Sequence, residues 1–168
     1  MFRLGTGVEV PEGRYQFASV RAVYLPATTG PLRASATIAV GSFFDGTRLS
    51  LASSHTWSPG RYFQLSGTWE LNRTTFPDRQ GLNATIVRVR PLLMINERLS
   101  VRGSAQYSSA ADALVVNARV RYSPRDGNDL YIVYDHGVNT NRGAYEPMRP
   151  LTERQAIVLN YSHTVGIW

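Results

Sequence analysis

The feature of this sequence that most restricts its fold is alternation with a period of two. Phe2, Leu4, Thr6, Val8 and Val10 share one parity, and Arg3, Gly5, Gly7 and Glu9 the other. Leu32, Ala34, Ala36, Ile38 and Val40 alternate with Arg33, Ser35, Thr37 and Ala39. The pattern returns from Leu49 to Trp57, Phe63 to Asn72, Leu99 to Ser108, and Val116 to Tyr122. Successive side chains of a strand point to opposite faces, so each run describes a strand with one apolar and one polar side. No segment has a helical period.

Turn signals separate the runs: Pro11-Glu12-Gly13, Gly30-Pro31, Asp45-Gly46, Ser58-Pro59-Gly60, Asn96-Glu97 and Asp126-Gly127-Asn128. The expected strands are 2–10, 14–25, 32–41, 48–57, 62–72, 82–95, 99–109, 114–122, 130–137 and 154–167. Strand 14–25 keeps no single parity and strand 82–95 changes phase near Ile86, so a bulge is expected in each. Most of these strands run to about 9–12 residues, against about 5–6 in globular sheets. A tilted strand crossing a bilayer needs about 9–11.

Composition narrows the class. The formal net charge is +6, and all 18 basic residues are arginine. Charged residues are 18%, below the roughly 25% of ordinary soluble domains. No apolar run approaches the ~20 residues of a membrane helix. The absence of cysteine excludes disulfides, thiolate metal sites and a cysteine nucleophile. The N-terminus has neither the charged nor the apolar region of a signal peptide. The length suits one domain, 1–168.

Long alternating strands with aromatics near their ends are the pattern of membrane barrels. Tyr24, Trp57, Tyr62, Phe63, Tyr122, Tyr131 and Trp168 are expected at one rim. Phe43, Phe44, Trp69, Tyr107 and Tyr134 are expected toward the other. With a periplasmic C-terminus, connections 138–153 and 73–81 fall outside, as do 109–113, 42–47 and 11–13. The shorter 123–129, 96–98, 58–61 and 26–31 fall inside. The expected fold is therefore an all-β, antiparallel, up-and-down transmembrane β-barrel of about ten strands. A soluble β-sandwich or barrel is the alternative.

From about Phe43 onward the chain resembles the C-terminal part of the DUF5916 family of bacterial outer-membrane β-barrel domains. The resemblance runs through Trp57-Ser58-Pro59-Gly60, then Trp69-Glu70-Leu71-Asn72-Arg73 with Phe76-Pro77. It continues through Gln106-Tyr107-Ser108-Ser109 and Asn117-Ala118-Arg119-Val120-Arg121-Tyr122. The longest stretch is Gly127-Asn128-Asp129-Leu130-Tyr131-Ile132-Val133-Tyr134-Asp135-His136-Gly137, and the last is Arg154-Gln155-Ala156-Ile157-Val158-Leu159-Asn160-Tyr161. It implies an outer-membrane location in Gram-negative bacteria and handling by the barrel-assembly machinery. Several features depart from the family, whose barrels are larger than ten strands, so that a shortened barrel or the C-terminal part of a larger one is also expected. The first 42 residues match poorly, the carbohydrate-binding domain that commonly precedes the barrel is absent, and Trp168 lies one residue beyond the phase of Ile157, Leu159 and Tyr161.

With lipid on the apolar side, the polar side lines a lumen. A hairpin register about Pro59 sets Arg48 opposite Glu70, and an ion pair is expected there. Arg88, Arg90, Arg102, Arg119 and Arg121 are expected to point inward as well, with Asp135 the other acidic neighbour. Such a stripe reads either as a hydrogen-bonded plug or as an anion-favouring, porin-like lumen. Barrels of eight strands are filled by side chains, so about ten leave at most a narrow pore.

No cofactor or metal is expected. Asp135-His136 at the outer rim is the one hydrolase candidate, while His55 and His163 occupy apolar phases. Nucleic acid is not an expected partner, because the arginines form no cluster or run of three. Loop arginines 73, 79, 142 and 149 suit lipopolysaccharide phosphates. A soluble carbohydrate-binding module would use Trp57, Trp69 and Tyr107 as stacking platforms. The expected function is structural anchoring or passage of small, anionic solutes, without catalysis.

Overall fold

The computed structural model describes residues 2–3, 9–10, 12–27, 30–78, 80–144 and 146–164. The strands are β1 (Phe2–Arg3), β2 (Glu9–Val10), β3 (Ser19–Tyr24), β4 (Leu32–Phe43), β5 (Gly46–Gly60) and β6 (Phe63–Thr75). They continue with β7 (Leu82–Met94), β8 (Leu99–Ser108), β9 (Ala113–Arg125), β10 (Asn128–Asn139) and β11 (Thr152–His163). A single 3-10 turn, Arg142–Ala144, lies in the connection before β11. β3 to β11 form one 9-stranded antiparallel sheet in sequence order, and β1 pairs with β2 apart from it.

Turn chemistry sets the hairpins. Asn96 Oδ1 accepts the backbone N–H of Arg98 at 2.9 Å and of Leu99 at 2.8 Å, which bends the chain between β7 and β8. Gly127 supplies a φ of 79° between β9 and β10. At the β4–β5 turn a Cβ on Gly46 would lie 2.3 Å from the Thr75 carbonyl oxygen, so only glycine lets β6 and Phe76 close over it.

Several sequence expectations are corrected. The expected strand 2–10 is two short arms, β1 and β2, outside the main sheet. Strand 14–25 contracts to β3, whose register with β4 is unbroken, so it holds no bulge. β7 also runs without a bulge at Ile86. Ile86 and Leu92 instead sit on the same face as Arg88 and Arg90. The β5–β6 turn falls after Gly60 rather than at Pro59, and an irregularity lies between Trp57 and Gly60. Of the connections, 140–151 is the longest, but 25–31 at the opposite end is longer than 76–81.

The turns step steadily across the sheet. The register line through Ser108, at the end of β8, passes Ile86, Glu70, Ala52 and Thr37. Thr37 is six residues short of the end of β4 at Phe43. The line that begins at Leu32, the first residue of β4, passes Trp57, Leu65 and Pro91 and reaches Ile157, six residues before the end of β11. Both ends of the sheet slant in the same sense, by six residues over the four steps from β8 to β4 at one end and by six over the seven steps from β4 to β11 at the other. An eight-stranded barrel of shear eight steps about one residue per strand, with strands tilted about 36°, so the two slants are of the order that barrel closure uses.

Among the described residues the sheet of β3 to β11 has no partner layer. Its accessible surface is 12342 Å², against roughly 8,300 Å² for a folded monomer of this mass. Among the described residues the one buried hydrophobic side chain is Phe76, 5% exposed. In β4 the usual order is inverted: Ala36, Ile38 and Val40 are exposed while Ser35, Thr37, Ala39 and Gly41 are half-buried. A large exposed apolar face is informative in a way that an exposed single leucine is not.

Candidate functional site

The register decides which side chains share a face. Carried from strand to strand, it sets Arg48, Glu70, Arg88, Arg90, Arg102, Arg119, Arg121 and Asp135 on one face, as period two requires. Small polar residues fill the space among them. Ser50 Oγ donates to Asn72 Oδ1 at 2.7 Å, and Arg88 Nε donates to Gln106 Oε1 at 2.7 Å.

The expected Arg48–Glu70 ion pair does not form. Arg48 is opposite Thr74, and Glu70 is opposite Ala52, four residues further along β5. At about 3.3 Å per residue, that is some 13 Å away. Arg48 instead places its guanidinium 4.9 Å from the centre of the Phe43 ring. Moving the turn past Pro59 shifted the hairpin by an even number of residues. The faces survived and the partners changed.

The charge pairing lies elsewhere. Arg121 Nε donates to Asp129 Oδ1 at 2.8 Å, and its Nη2 donates to Oδ2 at 3.2 Å. Asp129 shares its parity with Asp135, so alternation alone already put it on this face. Asp135 accepts a hydrogen bond from Asn117 Nδ2. Arg102 and Arg119 stand directly opposite each other on β8 and β9. Neither makes an ion pair with a described residue. The Arg119 guanidinium lies 6.0 Å from the centre of the Tyr131 ring. Beside them is a hollow of about 410 Å³, lined by Arg102, Arg119, Arg121, Ser100, Tyr131 and Glu97 among others.

The opposite face carries Trp57, Phe63, Trp69, Tyr107, Tyr122 and Tyr134, and Trp168 lies outside the described residues. Trp57, Phe63 and Tyr122 sit within three residues of strand ends at the 61–62 side, and the Trp57 and Phe63 rings meet edge to face at 5.8 Å. Tyr107 is one residue from the end of β8 at the other side. Trp69 and Tyr134 are mid-strand, not at a rim, because β6 and β10 extend beyond the expected ends. Tyr131 lies on the arginine face, not with the rim aromatics. Sequence reading missed an aromatic cluster at the 44–45 turn. There Tyr15, Phe17 and Phe43 pack edge to face on Phe44, with centroids at 5.2, 5.4 and 4.8 Å.

Asp135 and His136, adjacent on β10, point to opposite faces and do not share a site. His136 Nε2 is 3.3 Å from Thr152 Oγ1. Of the loop arginines, Arg142 donates from Nε to the Arg149 carbonyl at 2.9 Å. Arg73 is exposed on the apolar face near the end of β6, and Arg79 lies outside the described residues. Compared with protein families, curated proteins and solved structures, the chain matches none of them.

Proposed function

We propose that this sheet is wall of an outer-membrane β-barrel, with the apolar face against lipid and the arginine face toward the lumen. The observation that carries the reading is the apolar face: an antiparallel sheet that leaves Ile38, Val40, Trp57, Trp69, Val89 and Ile132 exposed on one side, with no described residue covering them. In water such a face of Leu, Val, Ile and Trp side chains is costly, at about 25 cal/mol per Å² of apolar surface left exposed. In a bilayer the same face is in its own solvent, while the antiparallel ladders pair the backbone within the sheet. The slant of the strand ends supports it, because closing a barrel needs tilted, staggered strands.

Strand parity adds a constraint. β3 and β11 are the two edges, separated by eight antiparallel steps, so they run in the same direction. Zipping them together directly would make a parallel seam. An all-antiparallel wall needs an odd number of further strands between them. One more would make a ten-stranded barrel, close to the size that side chains fill. The role is then structural anchoring or narrow passage of small, anionic solutes. The resemblance to the DUF5916 barrel domains, carried by the stretches quoted above, points the same way for location and for the barrel-assembly machinery. Arg73 on the outer rim suits lipopolysaccharide phosphates.

The test is refolding of the full chain into detergent micelles, with boiled and unboiled samples compared on an SDS gel and by circular dichroism. The expected result is a β-spectrum with a heat-dependent mobility shift. A chain that folds and stays monomeric in buffer without detergent overturns the reading.

A further inference from the structure

We propose that Arg102 and Arg119 form a binding site for the phosphoryl group of a small soluble solute. The site deepens the reading above by naming what an arginine-bearing lumen would hold; the anion site stands on the sheet geometry, and its assignment to a soluble solute rests on that reading. Like charges directly opposite across an antiparallel pair are destabilising. Arg102 and Arg119 are such a pair, on one face and at one register position. Arg121 is a diagonal neighbour, so three guanidiniums lie within two residues of register.

The nearby carboxylates do not relieve them. Asp129 takes both hydrogen bonds from Arg121. Asp135, diagonal to Arg119, accepts from Asn117 and makes no ion pair. Glu97 lines the hollow but pairs with neither arginine. The sheet thus holds two arginines at directly opposed positions, neither hydrogen-bonded nor ion-paired to a described residue, next to open volume of about 410 Å³. That falls in the range of small-molecule sites, roughly 300–1,000 Å³.

The chemistry that fits is a tetrahedral oxyanion. A guanidinium is a rigid planar fork of donors, and two forks facing one phosphoryl group can each take two of its oxygens. Ser100 and Tyr131 border the same space and supply hydroxyl donors. A monovalent halide would leave most of these donors unmet. The arginines occupy the face opposite the apolar one, which assigns the phosphoryl group to a soluble solute rather than to a lipid headgroup.

The experiment titrates inorganic pyrophosphate into the full chain in neutral-detergent micelles, by calorimetry. The expected result is saturable binding, displaced by phosphate and not by equimolar chloride. Arg102→Gln and Arg119→Gln should each weaken it about tenfold or more, the range for loss of a charge-assisted hydrogen bond. Arg33→Gln, on the same face of β4 and outside the hollow, should leave it unchanged. Absence of saturable binding, or an equal loss in Arg33→Gln, overturns the site. Displacement by phosphatidylglycerol doped into the micelles overturns the solute assignment. The heat-shift gel on the same samples separates the two readings: a shift without pyrophosphate binding rejects the site, and binding without a shift rejects the barrel.

Discussion

Arg121 reaches diagonally across the β9–β10 hairpin to Asp129 with two hydrogen bonds, at 2.8 and 3.2 Å, the fork geometry of an arginine–carboxylate pair. Both side chains are solvent-accessible, 49% and 24% exposed, so the pair contributes little to stability. Its effect is on charge: it takes one of three neighbouring guanidiniums out of play. Asp129→Asn should leave the fold intact and release Arg121 toward the hollow. Pyrophosphate affinity should then rise, and its salt dependence should steepen. Unchanged affinity would mean that Arg121 does not reach the site.

The repulsion between Arg102 and Arg119 makes its own prediction. In phosphate-free buffer, Arg102→Gln should stabilise the refolded chain by about 0.2–1 kcal/mol, the scale of cross-strand pair energies. Adding pyrophosphate should cancel the advantage, because the ligand stabilises only the two-arginine form. Thermal unfolding with and without the anion measures both.

The two faces should respond oppositely to the same substitution. Ala118, mid-strand on the apolar face, has Gly103 and Tyr134 as its cross-strand neighbours. Ser54, mid-strand on the other face, lies between Ser35 and Thr68. Ala118→Arg should cost roughly 2–4 kcal/mol in a bilayer, as lipid-facing arginines do near the midplane. Ser54→Arg should cost far less. Unfolding titrations in vesicles compare them, and equal costs would place water on both faces.

The β5–β6 register can be checked by cross-linking in a chain that has no native cysteine. Ala52→Cys with Glu70→Cys are Cα partners and should oxidise to a disulfide. Arg48→Cys with Glu70→Cys should not, since the Cα atoms are too far apart to be bridged. A non-reducing gel after mild oxidation, with peptide mapping, reads the outcome.

Much of this architecture is legible in residue order. Alternation assigns each of Arg48, Arg88, Arg102, Arg119 and Arg121 to a face, and the face assignment is insensitive to where a turn falls by an even number of residues. Partners are not so protected. Arg48 lost Glu70 because the hairpin turned after Gly60 instead of at Pro59, a choice made by the local irregularity at Trp57. The expected strand 2–10 has as clean an alternation as β4, yet its ends fold onto each other in β1 and β2. Alternation says which face a strand would present, not whether a neighbour is there to pair with it.

The sequence by itself determined that this is an antiparallel β protein with one apolar and one arginine-rich face. Side-chain direction along a strand follows from the pleat, whatever the strand pairs with. Only the tertiary structure decided that Arg102 meets Arg119, that Arg121 takes Asp129, that Asp135 and Glu70 make no ion pair with a described residue, and that no described residue covers the apolar face. Those relationships depend on register, stagger and sheet order, which are set by ladders between residues far apart in the chain.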